Sequence, residues 1–94
     1  MVKSTFENFL EVPIHLAIEP WAAAEIVEPG EQVVFELHGD NATIDFAATG
    51  EGAVISVWAD RIEMVVWPAD RSGPRLAKTW TLPPEFQGKA SMFG

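Results

Sequence analysis

Between Ala53 and Trp67 the chain reads AVISVWADRIEMVVW, with apolar residues at every second position on both sides of a polar dipeptide. An extended backbone turns alternate side chains to opposite faces. Ala53, Ile55, Val57 and Ala59 therefore share one face, and Ile62, Met64 and Val66 share one face of the segment that follows. A turn centred on Asp60 and Arg61 would pair Ala59 with Ile62, Val57 with Met64 and Ile55 with Val66. Every inward pair is then apolar on both sides, the condition that fixes the register of a hairpin. The other face pairs Trp58 with Glu63, Ser56 with Val65 and Val54 with Trp67, which is too apolar for a plain wet surface. Val54, Trp58, Val65 and Trp67 are accordingly the candidate interaction surface, with Val34 on a neighbouring strand. An exposed patch of this kind marks a protein contact, and symmetric pairing through one patch is the commonest route to a dimer.

The rest of the chain carries the same period. Ser4-Thr5-Phe6-Glu7 has the form of a capping box, which predicts a short helix or arm over residues 1–11 with Phe6, Phe9 and Leu10 on one side. A helix so short holds only if that side docks. After Pro13, Ile14, Leu16 and Ile18 alternate with His15, Ala17 and Glu19 as a first strand, interrupted at Glu19-Pro20-Trp21 because proline lacks a ladder N–H. Ala22 to Glu28 reads as a short strand closing on the Pro29-Gly30 turn. Val33, Phe35 and Leu37 then form the inner face of a strand whose outer face is Gln32, Val34, Glu36 and His38. Gly39-Asp40-Asn41 supplies turn chemistry, so Ala42, Ile44 and Phe46 are expected to return beside Phe35 and Val33 as a hairpin partner. Thr49 to Gly52 connects onward, Pro68 stops the ladder, and Leu76 to Leu82 is a last strand carrying Trp80. Pro83-Pro84 opens a tail over residues 83–94 whose Phe86, Met92 and Phe93 either pack back or reach another chain. The expected fold is all-β, a small antiparallel sandwich or barrel of about seven strands over residues 12–82, flanked by the arm and the tail.

Charge and composition narrow the partners. Lys+Arg number 6 against 14 Asp+Glu, a formal net charge of -8, so the field around the molecule opposes phosphate backbones and anionic lipid. Nucleic acid and membrane partners are not expected. No cysteine is present, which removes thiolate catalysis and sulfur-ligated metal. Neither a basic segment followed by a long apolar run nor a stretch approaching the ~20 apolar residues of a membrane span occurs, so the expected location is cytoplasmic.

Few residues suggest chemistry. His15 and Glu19 share a strand face, as do Glu36 and His38 with Asp40 nearby, and converging imidazole and carboxylate groups are how small β-barrels hold zinc, manganese or iron. Neither histidine has the neighbour of a cupin-type pair, and no metal or cofactor is expected. Ser56 has no adjacent base, Ser72-Gly73 has no elbow motif, and no glycine-rich cradle opens a helix, so no catalytic residue is assigned. Trp58, Trp67 and Trp80 could instead stack on sugar rings, although indoles beside proline, as in Pro20-Trp21 and Trp67-Pro68, also serve to cover a core.

Pro29-Gly30-Glu31-Gln32-Val33 is similar to a turn of cupredoxin-like sandwiches, but type 1 copper needs a cysteine thiolate that this chain lacks. Ile18-Glu19-Pro20-Trp21, followed by Val27-Glu28-Pro29-Gly30-Glu31 and an alternating strand, resembles a group of short, uncharacterised bacterial all-β proteins over about residues 12 to 68. The resemblance implies an all-β fold and bacterial origin and carries over no site. The expected function is thus non-enzymatic protein contact, as a homodimer or by docking on a partner. The alternative is a small-ligand or carbohydrate-binding module using surface tryptophans.

Overall fold

A computed structural model describes residues 1–49 and 52–87. It is a β-sandwich of two four-stranded sheets, one ordered β1-β4-β7-β8 and the other β3-β2-β6-β5. The strands are β1 (Val2–Glu7), β2 (Ile14–Glu19), β3 (Ala23–Val27), β4 (Gln32–His38), β5 (Thr43–Thr49), β6 (Gly52–Trp58), β7 (Arg61–Trp67) and β8 (Leu76–Thr81). A 3-10 turn over Pro84–Phe86 is the one helical element among the described residues. The predicted tail residues Met92 and Phe93 lie outside the described residues.

The inward faces are those the alternation predicts. Ile14, Leu16, Ile18, Val27, Ala53, Ile55, Val57 and Ala59 meet Val33, Phe35, Leu37, Ile62, Met64 and Val66 in a single buried core. Burying a side chain of this size contributes roughly 1.5–3 kcal/mol, so the sidedness of each central strand is strongly determined.

The expected pairings differ in three places. First, β6 and β7 are not hairpin partners. β6 lies between β2 and β5 in one sheet, while β7 lies between β4 and β8 in the other. The chain crosses between sheets at Ala59 and Asp60, where the Asp60 amide donates to the His38 carbonyl and the Leu82 amide donates to the Asp60 carbonyl. The apolar sets predicted to pair edge to edge therefore face one another across the core. Second, β4 and β5 are also separated by a crossing, at Gly39 to Ala42. β5 pairs instead with β6, Thr43 opposite Trp58 through Thr49 opposite Gly52. The two crossings touch: Gly39 has φ +121°, and a Cβ there would fall 2.5 Å from Asp60 Oδ2. Third, residues 1–11 form no helix. Val2–Glu7 is an antiparallel edge strand on β4, adding an eighth strand, and Phe6 stacks on Phe35 with ring centroids 6.0 Å apart. The physical reason is the isolated helix's weakness: two turns gain little alone, whereas six extended residues gain a full ladder with β4.

One pairing breaks the antiparallel rule. β2 and β6 run parallel, Ile14 opposite Ala53 through Glu19 opposite Trp58. Parallel neighbours require a long connection, and here three intervening strands supply it.

Candidate functional site

A sandwich has two open seams where its sheets' edges meet, and in this chain they are built differently. At the β3/β8 seam the inward row adds charged and aromatic side chains to the apolar Ala23, Val27 and Leu76. Lys78 Nζ lies 2.9 Å from Glu25 Oε1, bridging the sheets, and Trp21 packs on Trp80 with centroids 6.4 Å apart. Beside them Arg75 holds Glu31 through Nε to Oε2 at 2.7 Å and Nη2 to Oε1 at 2.8 Å, and Arg75 Nη2 also donates to the Ile26 carbonyl. Burial pushes the Glu31 carboxyl up, but the Arg75 hydrogen bonds, the Glu28 amide and the Arg75 charge outweigh it and hold the group below the usual carboxylate range. Inward charge on an edge strand disfavours further pairing, so these two edges are blunted.

The β1/β5 seam has no such seal. The inward positions of β5 are Ile44, Phe46 and Ala48, opposite Val57, Ile55 and Ala53. Among the described residues nothing covers them: Phe46 is 65% exposed and Ile44 40%. Across the seam stand Val2 and Phe6 of β1, and Phe9 and Leu10 of the following loop are also exposed. Together Phe6, Phe9, Leu10, Ile14, Phe46 and Ile55, with Glu7 at the rim, line a groove of about 270 Å³.

The loop that carries Phe9 and Leu10 is held by Asn8, which is fully buried. Its Nδ2 donates to the carbonyls of Val12 and Val27, both at 2.9 Å, and its Oδ1 accepts from the Leu10 amide at 2.9 Å. Its backbone bonds to Glu31 and Gly30 as well. All the polar groups of Asn8 are thereby satisfied, which is what permits a buried amide. Two phenylalanines are presented on either side of the groove, one from a pinned loop and one from an edge strand.

The predicted surface residues do not come together. Val54 and Trp58 lie on the outer face of the β3-β2-β6-β5 sheet, and Val65 and Trp67 lie on the outer face of the other. Because β6 and β7 belong to different sheets, the thickness of the core separates the two pairs. Trp80 points inward, against Trp21, so Trp58, Trp67 and Trp80 form no shared platform. His15 and His38 are likewise on opposite outer faces.

On the outer face of β4 and β7, however, a polar group assembles that the sequence only half displayed. Glu36 is directly opposite Glu63, and His38 is opposite Arg61. One ligand atom from each of Glu36, His38 and Glu63 lies within 4.8 Å of the other two. Arg61 Nη2 donates to Glu63 Oε1 at 3.2 Å, leaving Oε2 toward His38 Nε2, 3.5 Å away. Glu63 was invisible as a partner because it belongs to a strand that the hairpin reading placed elsewhere. The groove was missed for a related reason: alternation identifies Ile44 and Phe46 as inward without showing that they stand at an edge.

Comparison of the chain with protein-family models, curated proteins and solved structures finds no match.

Proposed function

We propose that the chain is a non-enzymatic domain that works through protein contact, and that its contact surface is the open β1/β5 seam, with a second copy of the chain as the occupant. The observation that carries this reading is the contrast between the seams. β3 and β8 bear the inward charges Glu25 and Lys78, β1 has Lys3 and Glu7 on its outer side, and β5 has Asp45 alone. Edge strands in monomeric proteins are blunted by lysine, proline, bulges or inward charge. β5 has no lysine and no proline, and its inward row is apolar. Two copies related by a two-fold axis could pair β5 with β5 in antiparallel fashion, continuing one sheet through the dimer and bringing both grooves against apolar surface.

Light scattering over a concentration series tests the reading. The expected mass is twice 10.3 kDa. Each copy carries a net charge of -8, so association should strengthen as salt screens the repulsion. Phe46→Glu should give a folded monomer, since the side chain is already 65% exposed in the single chain. Trp67→Glu, on the opposite face of the other sheet, should leave the dimer intact. A monomer at every concentration and salt, or a dimer insensitive to Phe46→Glu, would sink the proposal.

A further inference from the structure

We infer that Glu36, His38 and Glu63 form a binding site for a first-row divalent cation, zinc being the best fit, on the outer face of β4 and β7. The inference is independent of the dimer, because the site is on the sheet that does not contain β5.

Three observations converge. The donor set is one imidazole and two carboxylates, a combination suited to zinc and its neighbours, and three protein ligands leave one coordination position for solvent. The donors come from adjacent positions of two central strands, i and i+2 of β4 and the cross-strand partner on β7, so the backbone that presents them is held by ladders on both sides. Their ligand atoms already lie within 4.8 Å of one another. Ligands of a tetrahedral zinc sit about 3.3 Å apart, and side-chain rotation of about 1.5 Å closes that gap without moving the strands.

The second observation is the state of His38. Its Nε2 is withdrawn from solvent and makes no hydrogen bond. The side chain as a whole is over a third exposed, so it is this one nitrogen, turned toward the carboxylates, that is withdrawn, as an atom placed to be a ligand would be. Glu63 Oε2 is 3.5 Å away, while Glu63 Oε1 is taken by Arg61. Arg61 thus fixes which carboxylate oxygen faces the imidazole, the orienting part that outer residues play around metals.

The third is charge. Like charges directly across a ladder are destabilising, and Glu36 and Glu63 are direct partners at the centre of their sheet. Lys3, opposite Glu36 on β1, and Arg61 offset part of that repulsion. A divalent cation between the carboxylates would convert the remainder into attraction.

The experiment is calorimetric titration of the purified full chain, stripped with chelator, with zinc chloride. The expected result is saturable binding at one zinc per chain, with a thermal midpoint raised by at least about 5 °C at saturation. His38→Ala and Glu63→Gln should each weaken binding by about tenfold or more. His15→Ala, which removes the only other imidazole, should change nothing. Cobalt(II) in place of zinc supplies a readout on the unmodified chain, visible absorption of a low-symmetry site that Glu36→Gln should alter. Absence of saturable binding, equal loss with His15→Ala, or indifference to His38→Ala in a folded variant would overturn the assignment.

Discussion

Replacing Asn8 with alanine should be among the most damaging single changes available in a loop of this chain. The backbone bonds of residue 8 survive the change, but three side-chain hydrogen bonds are lost. The buried Val27 carbonyl would lose the Asn8 amide as a donor, a loss that costs about 1–3 kcal/mol. The Val12 carbonyl and the Leu10 amide are only partly buried, and water can replace part of what they lose. We set their combined cost at about 1–2 kcal/mol, giving a total near 3 kcal/mol. For a domain of this size that corresponds to a fall of about 12 to 24 °C in the thermal midpoint. Urea unfolding followed by indole fluorescence measures the difference directly. Asn8→Asp supplies the discriminating control: it keeps the acceptor for Leu10 but sets a carboxylate against two carbonyl oxygens. At neutral pH it should be worse than alanine, and it should recover as pH falls and the introduced carboxyl regains a proton to donate. Phe9→Ala, beside it but 85% exposed, should stay within about 0.5 kcal/mol of the parent. A cost below about 1 kcal/mol for Asn8→Ala would refute the claim that this amide pins the loop.

Two further changes probe the frame around the two seams. Glu31 has a lowered carboxyl pKa in the folded chain, against about 4.3 when unfolded, so its contribution is complete above that value and is lost as pH falls through the folded one. The stability gap between parent and Glu31→Gln should therefore be widest near neutrality and close as pH drops below about 4, by chemical denaturation at a series of pH values. Gly39→Ala introduces a Cβ at φ +121° against Asp60 Oδ2, and should cost about 1–3 kcal/mol by the same assay. If it is neutral, the contact between the two sheet crossings is looser than described.

How far the sequence reaches depends on which question is asked of it. Alternation showed which side of each central strand is buried, because a one-residue slip would put Phe35, Met64 or Val57 into water. It could not show which sheet a strand joins, since β6 and β7 bury the same residues whether they lie side by side or face to face. A signal was present in the turn. A two-residue hairpin requires positive φ at its centre and favours glycine or asparagine, which Asp60-Arg61 does not offer. The hairpin that does form, β5 with β6, ends with Thr49 opposite Gly52. The cluster of Glu36, His38 and Glu63 followed the same logic. Glu36 and His38 were visible as neighbours on one strand face, while Glu63 required the β4–β7 register. For the N-terminus the capping box of Ser4 and Glu7 competed with the alternation of Val2, Ser4 and Phe6, and the ladder with β4 decided the outcome.

The strand order also sets a condition on how the molecule can come into being. β6 enters between β2 and β5, and β7 enters between β4 and β8, so the later part of the chain supplies a central strand to each sheet. A chain synthesised from its N-terminus has all of β1 to β5 before any of β6 exists, and neither layer can close. Three of its six strand pairings join consecutive strands, but the pairings that complete the sheets join residues near 14 to 19 with 53 to 58 and near 32 to 38 with 61 to 67. Such non-local topology favours slow, all-or-none assembly. Until Trp67 has been added, Phe46 and the rest of the open seam have no finished sandwich to belong to, and the edge proposed as a place for a second copy is the one most exposed to premature pairing.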